Sequence, residues 1–351
     1  MKQFAMRIVG QGVKRIAACR WPHLPAAFLA AALLAAPARA STGTSITAVQ
    51  QANIDSTVAQ EMHRDHVGAL CLGIAGPHKN LYARAYGTTA ANAQFPIASI
   101  TKSFTAVAIL LLASARVLSL DDPVGKFVPE FAPARNIPLR ELVNQTSGLP
   151  DYAQQSSFAQ WRQTARSPFE VLAHIASRVP DFPAGTNWAY SNTNYLLLGL
   201  TVARASGMPY ERYVQSHLLL PLGLRATHFA GDAAQFGTAS IVSNIFDVMR
   251  WDQAVFANEI LPPPLSQTLF SAATLPDGRQ TGYGFGYFLR GMDGVVVFGQ
   301  SGNVNGYSSD NETIVASQTH IVLLAKANTL DLLPLTKSIV QIIALAPPHR
   351  P

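Results

Sequence analysis

Segments with strand character lie at both ends of this 351-residue chain, and segments with helical character lie between them. The strand-like segments are short apolar or alternating runs at residues 68–76, 80–87, 284–289, 294–298 and 320–325. Residues 118–236 are richer in helical patterns and in loops containing proline and glycine. We therefore predict an α/β fold in which residues 41–117 and 237–351 form a sheet domain and residues 118–236 form an inserted, mostly helical domain.

Helices are predicted before, between and after these strands along the chain. Helical spacing of apolar residues predicts an amphipathic helix at residues 45–66, a buried helix at 194–205 and a last apolar helix at 333–344. Residues 167–170, Ser-Pro-Phe-Glu, have the serine and the proline of a helix start. With 48% hydrophobic and only 13% charged residues, the chain can bury a sizeable core.

The first forty residues have the pattern of an export signal. They contain basic residues and no acidic ones, then an apolar run at residues 24–36, and they end in Ala38-Arg39-Ala40. The apolar run is shorter than the roughly 20 residues that span a bilayer. We expect a signal peptide at residues 1–40, cleavage after Ala40, a periplasmic or secreted protein, and no stable membrane span after cleavage.

A lipoprotein signal is the alternative for the same segment. Ile16-Ala17-Ala18-Cys19 looks like a lipoprotein cleavage box, which would leave Cys19 lipidated. Such a box should follow the apolar run, and here it precedes it. The order of the two features therefore favours the ordinary signal peptide.

Most of the positive charge belongs to this segment. Six of the 26 basic residues lie in residues 1–40, which leaves 20 basic residues against 20 acidic ones in the rest of the chain. A formal charge near zero gives no indication of nucleic-acid binding. The expected partners are small molecules.

The sequence gives little support to a disulfide or a metal site. Cys71 is the one cysteine after residue 40, and it lies in a run that predicts a buried strand. His63 and His66 are spaced three apart on a predicted helix, but no third ligand is near them in sequence, and the chain has no His-Glu-x-x-His. We predict neither a metal nor a cofactor.

Residues 95–106 carry the first chemical signal. Pro96 marks an extended entry, and from Lys102 onward apolar residues recur at helical spacing. Ser99 and Lys102 are three residues apart and therefore lie on the same side of a helix start. An amine held neutral at this spacing can take the proton of a serine hydroxyl, and the unpaired N–H groups of a helix start can bind an oxyanion. A capping serine beside a solvated lysine would give the same short pattern.

Three more segments follow it along the chain. Residues 144–152 are dense in turn signals, residues 182–186 lead into 190–195, and residues 300–303 open a glycine-rich segment. Together with residues 95–106 they resemble the serine β-lactamase-related family, which includes class C β-lactamases, D-alanyl-D-alanine carboxypeptidases and esterases of the same fold. The resemblance implies an antiparallel sheet flanked by helices, with an inserted mostly helical region, as in the β-lactamase/transpeptidase-like fold.

The resemblance implies a role for each matching side chain. Ser99 would attack an ester or amide carbonyl and form an acyl-enzyme. Lys102 would share the serine proton, and Tyr190 would take that proton or deliver it to the leaving group. Asn192 would orient Lys102 and the substrate amide.

The resemblance also places substrate-binding groups around residues 300–303. The oxyanion hole would use the N–H of Ser99 and the N–H of Asn303, on an edge strand. Gly302 has no side chain, so the backbone could approach the substrate closely. Gln300 stands where the family usually has Lys or His, and a neutral amide cannot attract a substrate carboxylate. This departure weakens the case for β-lactam and D-Ala-D-Ala substrates. Gln145, where the family usually has His, is expected to change only a structural hydrogen bond.

These observations predict an exported serine hydrolase that acts on esters or on small amides and peptides, with β-lactams less favoured. The alternative is a catalytically weak binding protein in which the Ser99 pocket recognises a cell-wall peptide or an acyl ligand. Gln300 keeps this alternative open. The intact set of Ser99, Lys102, Tyr190 and Asn192 favours the enzyme, because decay to a binder usually removes one of them.

Cleavage after Ala40 predicts that the exported protein begins at Ser41. The test is N-terminal sequencing of the protein recovered from outside the cytoplasm. A lipid-modified chain beginning at Cys19 would instead establish the lipoprotein signal. A mature chain that retains residues 24–36 would indicate a membrane anchor, and either result would contradict the prediction.

Overall fold

A computed structural model of the protein describes residues 45–327 and 330–344. The predicted signal peptide at residues 1–40 and the alternative cleavage at Cys19 lie outside the described residues. None of the helices within the described ranges is long and apolar enough to cross a membrane.

The strands of the main sheet lie towards both ends of the described chain, with a mostly helical region between them, as the sequence pattern predicts. The strands are β1 (Ala69–Ala75), β2 (Asn80–Gly87), β3 (Phe95–Pro96), β4 (His228–Phe229), β5 (Ile241–Ser243), β6 (Phe288–Met292), β7 (Val295–Val304), β8 (Tyr307–Ile314) and β9 (Thr319–Lys326). The helices are α1 (Ala48–Arg64), α2 (Thr101–Ser114), α3 (Leu139–Val143), α4 (Phe158–Trp161), α5 (Pro168–Ala173), α6 (Asn192–Ser206), α7 (Tyr210–Val214), α8 (Leu220–Leu222), α9 (Ile245–Phe256), α10 (Pro263–Leu269) and α11 (Leu333–Ala344).

The main sheet has six strands in the order β2-β1-β9-β8-β7-β6, and every neighbouring pair is antiparallel. Its centre joins the two ends of the described chain, because β1 lies beside β9 with Ala69 opposite Lys326 and Ala75 opposite His320. A small sheet, β3-β5-β4, lies at the entrance to α2. The prediction of an α/β fold with an antiparallel sheet flanked by helices is confirmed. The division into domains at residues 117 and 236 stays a prediction.

Helices cover both faces of the main sheet, and β1 shows how the sequence produces this. In a strand, successive side chains point to opposite faces. Leu70 and Leu72 pack in a cluster with residues of α1 and α11, whereas Cys71 and Ala75 pack in a second cluster with residues of α2, α6 and α9. All of β1 is buried, so its sequence is apolar at every position instead of alternating.

The start of one predicted strand is wrong, and one strand was not predicted. The run at residues 284–289 was expected to be a strand, but β6 begins only at Phe288. Gly286 has φ +83°, and its backbone packs closely on α2, where an added Cβ would lie 2.9 Å from Cα of Ser103. The chain therefore turns here before entering the sheet. In the interior of the sheet, β8 was not predicted, because most of its side chains are polar.

The polar side chains of β8 are buried and bonded. Glu312, which is fully buried, forms an ion pair with Arg290 of β6 across the intervening strand. Gly299 of β7 makes room for this carboxylate, because a Cβ there would lie 2.2 Å from Cδ of Glu312. Asn311 on the opposite face donates to Asp252 of α9 at 2.8 Å. The strand thus forms through partner contacts that its sequence pattern does not reveal.

We expect Glu312→Ala to lower the free energy of unfolding by about 3–5 kcal/mol, because the change leaves the buried guanidinium of Arg290 without its partner. Glu259→Ala is the matched control, since its pair with Arg250 is largely exposed, with side-chain exposures of 43% and 38%. The control should cost about 1 kcal/mol or less. Urea denaturation measures both. Similar small losses for the two variants would show that the buried pair does not stabilise the sheet.

Candidate active site

Ser99 lies in a single 3-10 turn, Ala98–Ile100, that connects β3 to α2. The turn is held from two sides: Ile97 donates its N–H to the carbonyl of Ile241 at 3.0 Å, and the Ser309 hydroxyl donates to the carbonyl of Ile97 at 2.8 Å. Ala98 has φ +46°, which is uncommon for a residue with a side chain. The fold therefore fixes the backbone at Ser99, in the extended-then-helical arrangement that the sequence predicts.

Lys102 lies one turn further on, and its ammonium group is completely buried. Nζ is 2.9 Å from Oγ of Ser99, 2.9 Å from Oδ1 of Asn192 and 3.2 Å from the carbonyl oxygen of Thr238. Burial lowers the pKa of Lys102 from its usual 10.5 to about 7, and the nearby carboxylate of Asp151 opposes part of that change. A substantial share of the amine is thus neutral near pH 7 and able to accept a proton.

Tyr190 approaches Ser99 from the other side. Its hydroxyl donates to Oγ of Ser99 at 3.0 Å, and Nε2 of Gln300 donates to the tyrosine oxygen at 3.2 Å. Burial raises the pKa of Tyr190 well above its ordinary value of 10, and the neighbouring Tyr283 adds to the effect. The phenol therefore stays protonated at neutral pH, which favours proton delivery over proton removal for this residue.

Asn192 begins α6, and its amide connects Lys102 to Asp151. Its Oδ1 accepts from Lys102, while its Nδ2 donates to Oδ2 of Asp151 at 3.1 Å. Its backbone N–H donates to Oδ1 of the same carboxylate at 3.2 Å. The two ends of the amide are therefore committed to different partners, and its orientation is fixed.

The segment 300–303 lies at the end of β7 beyond its pairing with β6. The pairing stops at Gly299, opposite Phe288, so the rest of β7 has β8 on one side and is locally an edge. The prediction that Asn303 lies on an edge strand is wrong for β7 as a whole, because β7 is the second strand of the sheet. The prediction holds for residues 300–303, which lie beyond the pairing with β6.

The register of β7 and β8 gives the direction of the Asn303 N–H. The two strands are joined at Asn305 and Gly306, which have φ +51° and +83°, and this pair of values is typical of a two-residue type I′ turn. The pair flanking such a turn is hydrogen-bonded, so the next pair, Asn303 with Ser308, is not. The N–H of Asn303 is consequently directed away from β8, while its side chain contacts the hydroxyl of Ser308.

Gly302 brings this strand end against Ser99. A Cβ at Gly302 would lie 2.5 Å from the backbone nitrogen of Ser99 and 2.8 Å from Cβ of Ala98. No side chain fits at this position without movement of the turn. The close approach places β7 beside the N–H of Ser99, as an oxyanion site with one donor from each segment requires.

The turn at residues 144–152 is hydrogen-bonded to the segment that carries Tyr190 and Asn192. Oε1 of the buried Gln145 accepts from the N–H of Ser191 at 3.0 Å and from Nδ2 of Asn194 at 2.6 Å. The Thr193 hydroxyl donates to the carbonyl of Pro150 at 2.6 Å. Gln145 thus holds the segment that carries Tyr190 and Asn192, in the structural role that the sequence predicts for it.

The structure brings the predicted site residues together, with one addition. Ser99, Lys102, Tyr190 and Asn192 are joined by direct polar contacts, and Gln300 joins them through Tyr190. Gln300 is buried, at 1% exposure, and faces the tyrosine. Asp151 was not singled out from the sequence, because an aspartate before a short turn is equally typical of a cap. Within residues 45–327 and 330–344, no group of three or more His, Cys, Asp or Glu side chains could hold a metal.

A serine hydroxyl between a neutral amine and a protonated phenol can do acyl transfer. The amine removes the hydroxyl proton as the oxygen attacks a carbonyl, and the phenol can supply a proton to the departing group. An oxyanion site between the two segments would use the backbone N–H groups of Ser99 and Asn303, as predicted from the sequence.

Comparison with known proteins identifies a relationship over most of the chain. The family model described as Beta-lactamase matches residues 54–336. Penicillin-binding protein 4* of Bacillus subtilis is 29% identical over 265 residues, a match that covers 62% of this chain and 57% of the relative. Protein flp of Staphylococcus aureus is 30% identical over 197 residues, covering 52% of this chain and 39% of the relative. This chain therefore spans only about half the length of these relatives.

Solved structures show the same fold at lower identity. A D-stereospecific amidohydrolase from Streptomyces sp. superposes with a TM-score of 0.72 at 23% identity, covering 86% of this chain and 99% of that one. The D-amino acid amidase from Ochrobactrum anthropi SV3 gives a TM-score of 0.75 at 20% identity, covering 85% and 100%.

We expect Gly302→Ala to slow covalent labelling of Ser99 by a fluorophosphonate at least about tenfold, because small misplacements of reacting groups cost that much or more. Gly68→Ala is the control, since a Cβ at Gly68 meets nothing within 4 Å and its φ is not positive. Labelling rates from gel fluorescence, with thermal melts to verify folding, provide the measurement. An unchanged rate in a folded Gly302→Ala protein would refute the close approach of β7 to Ser99.

Proposed function

The chain belongs to the beta-lactamase family, and from this membership we propose that it is an exported serine hydrolase that forms an acyl-enzyme on Ser99. Its proposed substrates are esters and small amides or peptides. The observation that carries the proposal is the placement of two proton-handling groups, Nζ of Lys102 and Oη of Tyr190, at 2.9 Å and 3.0 Å from the same serine oxygen.

In the acylation step, Oγ of Ser99 attacks the carbonyl carbon and its proton passes to the neutral amine of Lys102. The bond from the carbonyl carbon to the leaving group then breaks, and the leaving group takes the proton of Tyr190. The phenolate then regains a proton from the ammonium group of Lys102, whose Nζ lies 4.9 Å from the centroid of the Tyr190 ring. The product is a Ser99 ester and a neutral alcohol or amine.

In the deacylation step, a water molecule attacks the Ser99 ester from the side vacated by the leaving group. The neutral amine of Lys102 receives the water proton, and Oγ of Ser99 regains a proton as the acid departs. The N–H groups of Ser99 and Asn303 stabilise the carbonyl oxygen in both steps. Asn192 keeps the amine directed at Ser99 throughout.

The position of Gln300 supports neutral substrates. Its side-chain amide is buried and donates to Tyr190, so it offers no positive charge to a carboxylate. A hydrogen bond to a charged group is worth about 1.5–3 kcal/mol, and its loss would weaken carboxylate-bearing substrates about 10- to 100-fold. Esters and amides without a carboxylate make no such contact. Small D-aminoacyl amides belong among the candidates, because two proteins of the same fold are named for D-stereospecific amide hydrolysis.

The alternative, a catalytically weak protein that binds a cell-wall peptide or an acyl ligand, is disfavoured by the charge state of Lys102. Completely burying an amine that no acid contacts directly is costly and lowers its pKa, and binding alone would not require it. A binding protein could use the same pocket with a less costly residue at this position.

The proposal is tested by turnover of three substrate classes on one purified protein: short p-nitrophenyl esters, D-amino acid amides and a chromogenic cephalosporin. We expect turnover of the first two classes to exceed that of the third, and Ser99→Ala to abolish it with the fold intact. Binding of these compounds without turnover would support the binding protein. Activity of Ser99→Ala within tenfold of wild type would overturn the assignment of the nucleophile.

The reduced pKa of Lys102 predicts the pH dependence of the reaction. Since the neutral amine is the active form, kcat/KM for a neutral ester should rise about tenfold per pH unit at acidic pH and level off above about pH 7. The raised pKa of Tyr190 predicts no decline at moderately alkaline pH. Lys102→Arg, which stays charged, should be inactive at every pH. A wild-type profile that is flat from pH 5 to 9 would contradict a role for Lys102 as the base.

A further inference from the structure

We infer that Asp151 is a positioning residue of the Ser99 site, whose carboxylate fixes the orientation of the Asn192 amide and places a negative charge beside Lys102. The inference rests on the proposed function, because it assigns a task within the same reaction. Asp151 contacts neither Ser99 nor a reacting atom, and it acts through its two neighbours.

The first task follows from the hydrogen bonds of the carboxylate. An ionised carboxylate only accepts hydrogen bonds. Asp151 receives two donors from Asn192, the backbone N–H at 3.2 Å and Nδ2 at 3.1 Å. With Nδ2 held in this way, Oδ1 of Asn192 is the end that faces Lys102, at 2.9 Å. A flipped amide would point its NH₂ group at the amine and lose both contacts.

The second task follows from the charges around Lys102. Asp151 is the ionisable acid that acts on this amine, and it raises the lysine pKa against the larger lowering by burial. The aromatic rings of Tyr190 and Tyr195, with centroids 4.9 Å and 5.7 Å from Nζ, are the other titratable groups that face it, and burial raises the pKa of both phenols. The remaining contacts of Nζ are neutral. Asp151 therefore limits how far burial lowers the amine pKa.

Asp151 is also open to solvent on one side. It lines a cavity of about 210 Å³ together with Tyr190, and two exposed charged residues, Arg178 and Asp181, line the same cavity. Burial raises the pKa of Asp151, while the N–H groups of Ala153 and Asn192 and the charge of Lys102 oppose the change. Asp181 lines the same cavity without a contact to Asn192 and provides a matched control for the effect of charge.

A purely structural role is the competing explanation. Asp151 caps the 3-10 turn Tyr152–Gln154 by accepting the N–H of Ala153 at 3.0 Å. Removing a cap would destabilise the turn and lower the rate, but it would not change the pH at which Lys102 loses its proton. The two explanations therefore differ in the pH profile.

The experiment measures kcat/KM for a p-nitrophenyl ester from pH 5 to 9 in wild type, Asp151→Asn, Asp151→Glu and Asp181→Asn. In Asp151→Asn we expect the plateau value of kcat/KM to fall at least about tenfold. The new NH₂ group opposes Nδ2 of Asn192, so the Asn192 amide no longer holds its Oδ1 toward Lys102. We expect the midpoint of the acidic limb to move about one pH unit toward lower pH, because a nearby negative charge that favoured the protonated amine is gone.

The other variants separate the effect of the Asp151 charge from the effect of the geometry of its side chain. Asp151→Glu keeps the charge, so its midpoint should stay at the wild-type pH although its plateau falls. Asp181→Asn should change neither quantity appreciably. An unchanged midpoint in Asp151→Asn would overturn the inference and leave only the capping role. If Asp151→Asn does not fold, a midpoint in Asp151→Glu that departs from wild type by as much as one unit would overturn it equally.

The failure of this inference is distinguishable from failure of the proposed function. If wild type turns over the ester and Ser99→Ala does not, the nucleophile is established whatever the Asp151 variants show. If Ser99→Ala retains activity, the pH profiles no longer report on Lys102, and the inference falls together with the proposal.

Discussion

The burial of the Lys102 ammonium group is the physical constraint on which this site depends. Transfer of a charged amine from water to the interior is costly, and the protein responds by lowering its pKa until much of the amine is neutral. Helix α2 produces this burial, because nearly every residue from Thr101 to Leu112 is buried, with α6 and α9 packed against the helix. The same packing that stabilises the core thus leaves much of this amine neutral.

The neighbours of Lys102 arrive from distant parts of the chain, and each is fixed by its own segment. The Ser99 turn is held between β5 and β8, and the turn around Gln145 holds the start of α6. The close approach of Gly302 sets the distance between β7 and Ser99. Because each contact belongs to a secondary-structure element or a bonded turn, the hydroxyl, amine and phenol are held in place together, which would lower the entropic cost of the proposed reaction.

The sequence was sufficient for the fold class and for the central residues of the site. Apolar periodicity located α2, β1 and α11, and the spacing of Ser99 and Lys102 already implied a shared face. The sequence was insufficient where local structure depends on contacts with residues distant in the chain. The polar residues of β8 are buried because Arg290, Asp252 and Thr336 bond them, and no strand pattern encodes those pairings. The run at residues 284–289 was apolar enough for a strand, but packing on α2 forces a turn at Gly286.

Asp151 was missed for a related reason. Its local sequence fits a capping residue, and its second contact, with Asn192, joins positions forty-one residues apart. The sequence also did not predict that the side chain of Gln300 faces Tyr190. It did show that the residue at position 300 carries no charge. Long-range polar contacts of single side chains leave no periodic trace in a sequence, whereas packing does.

The central claim, that Ser99 is the nucleophile, is tested most directly by mapping the covalent adduct of a fluorophosphonate probe by mass spectrometry. Trypsin separates residues 85–102 from the segment that begins at Ser103, so the two nearest serines fall on different peptides. The account predicts one equivalent of adduct on Ser99 and none in the Ser99→Ala protein. An adduct on Ser103 or Ser301, or an unlabelled protein that still hydrolyses esters, would contradict it.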